Sequence, residues 1–218
     1  MYNGITGIIL CGGKSLRMGT NKAFLKFGDK YIVEILVGLM RNIFGKVILV
    51  TNEPGLYSFL KIDIFEDIYK GKGPLGGIYS GLMNSETGRN FVISCDIPLI
   101  TKSAIEFIIG CPSDKDIKVP LADGYVQQLF GIYNRSLLTK IKNQLNPEEQ
   151  LNSTAKCKVL QLIESAHSEI INIENEMPGY NANTFLNMNN MTDYLLAGHI
   201  YESRINLRKT LFSLIYHK

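Results

Sequence analysis

Thr6–Leu10 (Thr-Gly-Ile-Ile-Leu) is an unbroken apolar run that leads into Gly12 and Gly13. A run without alternation predicts a strand buried on both faces, as in a parallel sheet. The next segment changes period. Ile32, Ile35, Leu36, Leu39, Met40 and Ile43 recur at helical spacing, which predicts a helix with one apolar face. Val47–Val50 returns to a strand pattern, Leu56–Leu60 reads as a short helix, and Ile62–Phe65 as a short strand. A Gly-Lys-Gly-Pro turn then opens a helix over Leu75–Met83. Phe91–Ser94 is a fourth apolar strand, running into Cys95-Asp96-Ile97-Pro98. Ser103 and Glu106 have the spacing of a capping box for a helix ending near Ile109.

Strand and helix therefore alternate through the first half, which predicts an α/β fold of three layers around a mostly parallel sheet. The second half is less regular. Ile117–Pro120, Gly124–Val126 and Leu129–Tyr133 read as shorter strands, residues 134–145 and 154–163 as helices, and Ile170–Ile173 as a strand. Asn181–Asn190 reads as a loop around a short strand. In open sheets of this kind ligands bind beyond the carboxyl ends of the strands. The loops after Leu10, Phe65 and Ser94 all fall at that edge.

Composition narrows the classes. With 218 residues, 45% of them hydrophobic and 20% charged, the chain can bury a large core unaided. Of its 23 Lys/Arg and 20 Asp/Glu, residues 195–218 hold four and one, which leaves a neutral body of 19 each. A net charge of +3 is too small for a nucleic-acid footprint. Cys11, Cys95, Cys111 and Cys157 form no C-x-x-C pair and have no His at ligand spacing, which argues against a structural zinc site or a disulfide framework. There is no apolar stretch long enough to span a membrane, and the N-terminal run is too short for a signal peptide. The expected location is cytoplasmic.

The loop Cys11–Gly19 carries the most chemistry. Its glycines let backbone N–H groups approach phosphate oxygens, and Lys14, Arg17 and Lys22 add positive charge. One charge pair at about 4 Å and an effective dielectric of about 20 contributes roughly 4 kcal/mol before desolvation. The loop is not a P-loop: G-x-x-x-x-G-K-[ST] ending at Gly13-Lys14-Ser15 needs glycine where Ile8 stands, and Gly7 is out of register by one. No G-x-G-x-x-G follows the first strand either. Asp96, after an apolar strand and before a proline, sits where a carboxylate could meet a hard cation. Magnesium needs only one or two protein carboxylates when phosphate and water complete its shell.

Leu10–Lys22 (LCGGKSLRMGTNK) resembles the signature L-x-G-G-x-S-x-R-M-G-x-x-K of the molybdenum cofactor guanylyltransferases, in the glycosyltransferase-A-like nucleotidyltransferase superfamily. Glu66-Asp67, Gly73-Pro74-Leu75-Gly76-Gly77-Ile78, Cys95-Asp96-Ile97-Pro98 and Asn187-Met188-Asn189 match its later motifs in the same order. The resemblance implies a Rossmann-like nucleotide-diphospho-sugar transferase architecture. It implies a nucleotidyltransferase domain over 1–194, with a GTP-binding N-terminal half and an acceptor-binding C-terminal half. The reaction it implies is transfer of GMP from GTP, with Mg2+, to the terminal phosphate of molybdopterin, releasing pyrophosphate.

The residue roles follow from the same resemblance. Leu10, Cys11, Gly12, Gly13, Lys22, Asp67 and Gly77 would hold the nucleotide. Arg17, Lys22 and Asp96 would act in catalysis, Asp96 would bind the metal, and Asn187 and Asn189 would face the pterin. The protein partners it implies are transient ones, among molybdenum cofactor biosynthesis or acceptor proteins. A phosphomonoester is mostly dianionic at neutral pH, so the nucleophile needs no strong base. That accords with His167, His199 and His217 lying outside every motif. Nucleophilic roles for Cys11 and Cys95 are disfavoured, since neither has a residue placed to form a thiolate.

The chain departs from the family at Gln128, where a proline is expected, which loosens the acceptor assignment. Residues 195–218 run past the family's usual end, and Ile200, Leu207, Leu211 and Ile215 suggest a basic amphipathic helix packed on the body or on a second subunit. Two alternatives stay open: a cytidylyltransferase acting on the same cofactor, and a non-catalytic GTP-binding or adaptor protein.

Overall fold

The computed structural model describes residues 1–12, 21–146 and 158–216, with backbone alone at 208–209 and 211–216. In chain order the elements are β1 Tyr2–Leu10, β2 Lys26–Phe27, β3 Lys30–Tyr31, α1 Ile32–Arg41, β4 Phe44–Thr51, β5 Asp63–Glu66, α2 Gly73–Asn84, β6 Arg89–Ser94 and α3 Lys102–Gly110. They continue with β7 Ile117–Ala122, β8 Tyr125–Val126, β9 Phe130–Asn134, α4 Leu138–Leu145, α5 Val159–Ser165, β10 Ser168–Asn172, α6 Ile173–Glu176 and α7 Met191–Tyr216.

The main sheet has the order β10-β7-β9-β6-β1-β4-β5, with β8 paired to β7. β6, β1, β4 and β5 are mutually parallel, as are β7 and β10. β9 runs antiparallel between β6 and β7. The sheet is therefore mixed, and its apolar central strands are covered on both faces. Along β1 the side chains alternate. Ile5, Ile9 and Cys11 pack with α1 and α3, while Ile8 and Leu10 pack with α2, α4 and α5. That alternation, together with the apolar stretch Gly7–Leu10, makes β1 the centre of a three-layer sandwich. Helix α2 lies close on the sheet: a Cβ at Gly81 would come 2.6 Å from Ile8 Cγ2.

Several local expectations need correction. Thr101, not Ser103, caps α3: its hydroxyl accepts from Ala104 N at 3.2 Å, and Ser103 already lies inside the helix. Glu106 instead faces Lys102 one turn back. Asn181–Asn190 contains no strand; residues 182–185 form a 3-10 turn opened by the Asn181 side chain. The Gly124–Val126 strand starts one residue later, because Asp123 and Gly124 take positive φ (52° and 74°) and form the hairpin turn. Residues 154–157 of the expected helix over 154–163 lie outside the described residues, and α5 continues to Ser165.

The expected C-terminal helix is present and starts at Met191, so it runs without a break across the 194/195 junction. Tyr194, Ala197, Ile200 and Tyr201 pack with Phe27, Ile32, Leu99 and Met188. Phe27 stacks on Tyr194 with ring centroids 5.8 Å apart. Leu207, expected on the apolar stripe, is 62% exposed; Leu211 and Ile215 side chains lie outside the described residues. Among the described residues no helix is long and apolar enough to cross a membrane.

Candidate active site

The register brings the chemistry to one edge. Leu10 lies opposite Val50 on β4 and Ser94 on β6, and Val50 lies opposite Phe65 on β5. The carboxyl ends of these four strands therefore open together. The ladder continues past its last side chains, since Cys11 N donates to Val50 O and Cys95 N to Leu10 O. β9 enters the same edge from Leu129, because it runs the other way beside β6.

A cavity of about 380 Å³ lies over β1, β4 and β5. Leu10, Cys11, Gly12, Asp67 and Gly77, all expected to hold nucleotide, line it together. Its far wall is the start of α2, where Gly71 and Gly73 take positive φ (75° and 65°) and Pro74 opens the helix without needing a donor. Gly77 keeps the floor open: a Cβ there would stand 3.4 Å from Leu10 Cδ2 and 3.7 Å from Asp67 Oδ1.

Asp67 is the polar feature of this cavity. Its Oδ2 accepts from Asn52 Nδ2 at 3.2 Å. Its Oδ1 is buried and has no partner. The neighbouring Ser80 hydroxyl donates to Gly76 O at 2.8 Å. Burial pushes the Asp67 carboxyl above its ordinary pKa, with Ser80 and Asn52 pulling the other way and Glu66 adding to the rise. An acceptor oxygen that is dry and unpaired is costly unless a ligand donor fills it. Sequence reasoning misses Asn52; its one signal is its place one residue beyond a strand end.

A second cleft adjoins the first across Ser94 and Leu129, which line both. Asp96, Asn187 and Asn189 line it, as does Gln128. The Asn187–Asn189 segment is docked on the Asp96 loop, since Met188 N donates to Asp96 O at 3.0 Å while the Met188 side chain is fully buried. Lys22 reaches across to it: Nζ lies 3.5 Å from Asn189 Oδ1. Lys22 is set in place by Asn21, which caps the 3-10 turn 22–24 through Ala23 N (3.1 Å) and donates to the buried Tyr57 hydroxyl (3.1 Å). At Gln128 the departure from proline has a local reason. Its N–H donates to Val126 O at 3.0 Å, a bond that proline could not make.

Gly13 and Arg17, with Lys14 and Gly19 of the same loop, lie outside the described residues. Among the described residues no group of three or more His, Cys, Asp or Glu could hold a metal ion. Asp96 lines the second cleft two residues beyond Ser94, which both clefts share; a single carboxylate suits magnesium only where phosphate and water oxygens supply the other ligands. Cys11 is buried against Cys95; that hydrogen bond, then burial, then the charges of Cys95 and Asp96 hold its thiol well above the ordinary range. A thiol held protonated is a poor nucleophile. His167 contacts Lys115 at 2.6 Å, away from both clefts.

The MobA-like NTP transferase domain matches residues 7–163 of the chain. A probable molybdenum cofactor guanylyltransferase of Peptoclostridium acidaminophilum is 35% identical over 164 residues, covering 68% of this chain and 74% of that one. Another, from Carboxydothermus hydrogenoformans, is 32% identical over 191 residues, covering 87% and 93%. Among solved structures, molybdopterin-guanine dinucleotide biosynthesis protein A from Archaeoglobus fulgidus shares the fold. Its TM-score is 0.77 at 20% identity, covering 91% of this chain and 99% of that one.

Proposed function

The chain belongs to the MobA-like NTP transferase family, and from that premise we propose that it transfers GMP from GTP to the terminal phosphate of molybdopterin or the molybdenum cofactor. The observation that carries this reading is the junction of two clefts. The nucleotide cavity and the second cleft share Ser94 and Leu129, Asp96 and Asn189 line the second, and Lys22 Nζ lies 3.5 Å from Asn189 Oδ1.

Asp67 favours guanine as the base. Guanine presents a ring N–H and an exocyclic amine side by side, two donors for one carboxylate. Cytosine and adenine each present one amine beside an acceptor nitrogen, which would face the Asp67 oxygens unfavourably. Leu10 and Gly77 would flank the base, and the backbone at Cys11 and Gly12, with Gly13 in the loop beyond, would approach the phosphates.

In the reaction an acceptor phosphate oxygen bonds to the α-phosphorus as the bond to the β-phosphate oxygen breaks, and pyrophosphate leaves. The acceptor is already anionic, so no side chain has to remove a proton. What the protein supplies is alignment and charge. Lys22 spans from the nucleotide loop to Asn189 on the acceptor side, so one ammonium can neutralise both reacting phosphates. Arg17 would add a second cation. Asp96 would hold magnesium, which when bound offsets the charge that develops on the phosphates. Asn187 and Asn189 would fix the acceptor.

The test is pyrophosphate release from GTP, CTP or ATP with magnesium and purified molybdopterin, alongside thermal shift with each nucleotide. GTP-selective stabilisation and acceptor-dependent release are expected. Selective stabilisation by CTP would turn the reading to the cytidylyltransferase. GTP binding without release would leave a non-catalytic nucleotide-binding protein.

A further inference from the structure

The second cleft has an outer wall with no role in phosphate chemistry. It is the tip of the β7–β8 hairpin, where Asp123 and Tyr125 line the cleft opposite Asn187 and Asn189. Tyr125 is 75% exposed, a large aromatic face left uncovered at a cleft mouth. The tip is held rigidly. Gln127 Nε2 donates to Ala122 O at 3.2 Å and to Tyr125 O at 3.4 Å, so its amide ties both legs of the turn. Glu174, at the start of α6, accepts from Asp123 N at 2.5 Å and fixes the turn residue in its positive-φ conformation.

That arrangement sets two carboxyl groups against each other. Among the described residues no Lys or Arg pairs with Asp123 or Glu174. Burial and the facing Glu174 both raise the Asp123 carboxyl. An acidic pair of this kind is relieved by a ligand that brings N–H donors rather than further anionic oxygens. A phosphate is therefore disfavoured at this wall, although the part of the same cleft at Asn189, which Lys22 contacts, suits one.

We propose that Asp123 and Tyr125 recognise the heterocycle of the acceptor: the Asp123 carboxylate accepts from the ring N–H and exocyclic amine of an aminopyrimidinone ring, and Tyr125 covers the ring face. The inference rests on the acceptor reading of the second cleft and adds which end of the acceptor lies outermost. Aromatic cover and a two-donor edge are the two features by which a flat, amine-bearing heterocycle differs from a plain phosphomonoester. Glu174 is a positioning residue; it holds the turn from behind.

The test separates this inference from the activity itself. Free pterin and lumazine, which differ at the exocyclic amine, are titrated into the full chain and followed by ligand fluorescence. The wild type is expected to bind pterin about tenfold more tightly than lumazine, the value of one charge-assisted hydrogen bond. Asp123→Asn is expected to abolish that ratio. Tyr125→Ala is expected to weaken both ligands by about tenfold, and Tyr125→Phe to restore them. GTP affinity should be unchanged in all three variants, the Tyr125 variants should keep the wild-type melting temperature, and Asp123→Asn should melt no lower than the wild type. Equal binding of the two ligands by the wild type, no pterin binding at all, or an unchanged ratio in Asp123→Asn would overturn the assignment, even if GTP and molybdopterin still yield pyrophosphate. Conversely, pterin selectivity without turnover would leave the assignment standing and remove the proposed reaction.

Discussion

Replacing Asp67 by asparagine exchanges one carboxylate oxygen for an amide nitrogen and removes the charge, while leaving the volume nearly unchanged. In the free protein that exchange should stabilise. The carboxylate has one dry, unpaired oxygen, and burial raises its pKa. The folded state therefore holds its proton to higher pH than the unfolded chain does. Stability contributed by this group falls as pH rises from the ordinary carboxylate range through the raised folded value. Asp67→Asn should accordingly melt higher than the wild type at neutral pH, and the two should converge as pH falls below the ordinary carboxylate range. Ligand binding should move the opposite way. A hydrogen bond to a charged acceptor is worth about 1.5–3 kcal/mol, so losing one guanine contact should weaken GTP by about 10- to 150-fold. Inosine triphosphate, which lacks the exocyclic amine, supplies the control. The wild type should prefer GTP to it by about tenfold or more, and the variant should not. Calorimetric titration with both nucleotides, with melting curves across pH, measures each part. A variant with unchanged GTP affinity, or one that keeps the preference for GTP over the inosine nucleotide, would refute base recognition by Asp67.

Other perturbations follow from the same geometry. Asp96→Asn should keep its melting temperature, because the Met188 contact uses the Asp96 backbone oxygen, while pyrophosphate release drops by about 10²–10³-fold; wild-type turnover would remove the metal assignment. Gly77→Val should fold but bind GTP at least tenfold more weakly in calorimetry, since its side chain grows toward Leu10 and Asp67 in the cavity floor. Met188→Ala removes a fully buried side chain and should cost about 2–5 kcal/mol in denaturant unfolding. The same variant should raise the Michaelis constant for acceptor more than that for GTP, because Met188 seats Asn187 and Asn189. Tyr57→Phe deletes the acceptor for Asn21 Nδ2 and should cost about 0.5–1.5 kcal/mol, read by the same unfolding curve.

Much of this architecture was legible because the central strands bury both faces. Runs such as Ile8–Leu10 and Val47–Val50 carry no polar residue, and a run that short, that apolar and bounded by turn residues suits a strand covered on both sides. The glycine-rich start of α2 was equally readable, since a turn followed by proline favours a helix start. What could not be read lies in contacts between distant residues. Lys22 and Asn189 meet across most of the chain, and no spacing rule joins them. The unpaired oxygen of Asp67 depends on its burial between β5 and the start of α2, which is a matter of geometry. Thr101 and Ser103 are equally good caps by composition; the backbone at Thr101, extended at φ −111°, ψ 155°, decides between them. Asn52 has no sequence signal beyond its place one residue past a strand end, and Asp123 and Tyr125 belong to no motif; each gains its particular meaning from the cleft that it faces.

The reversed strand β9 has a consequence for how such a molecule can diversify. Because it is inserted against the grain between β6 and β7, it splits the working edge into two wings hinged on β6. One wing, β1-β4-β5 with α2, lines the cavity proposed for the nucleotide; the other carries the β7–β8 hairpin, which lines the cleft beside it. Leu129, at the entrance to β9, is the party wall. Residues on the hairpin side can be exchanged, lengthened or shortened without touching the wing proposed to hold the triphosphate. A lineage can therefore trade one acceptor for another while inheriting its nucleotide chemistry intact, and a graft of the hairpin between relatives should carry acceptor preference with it.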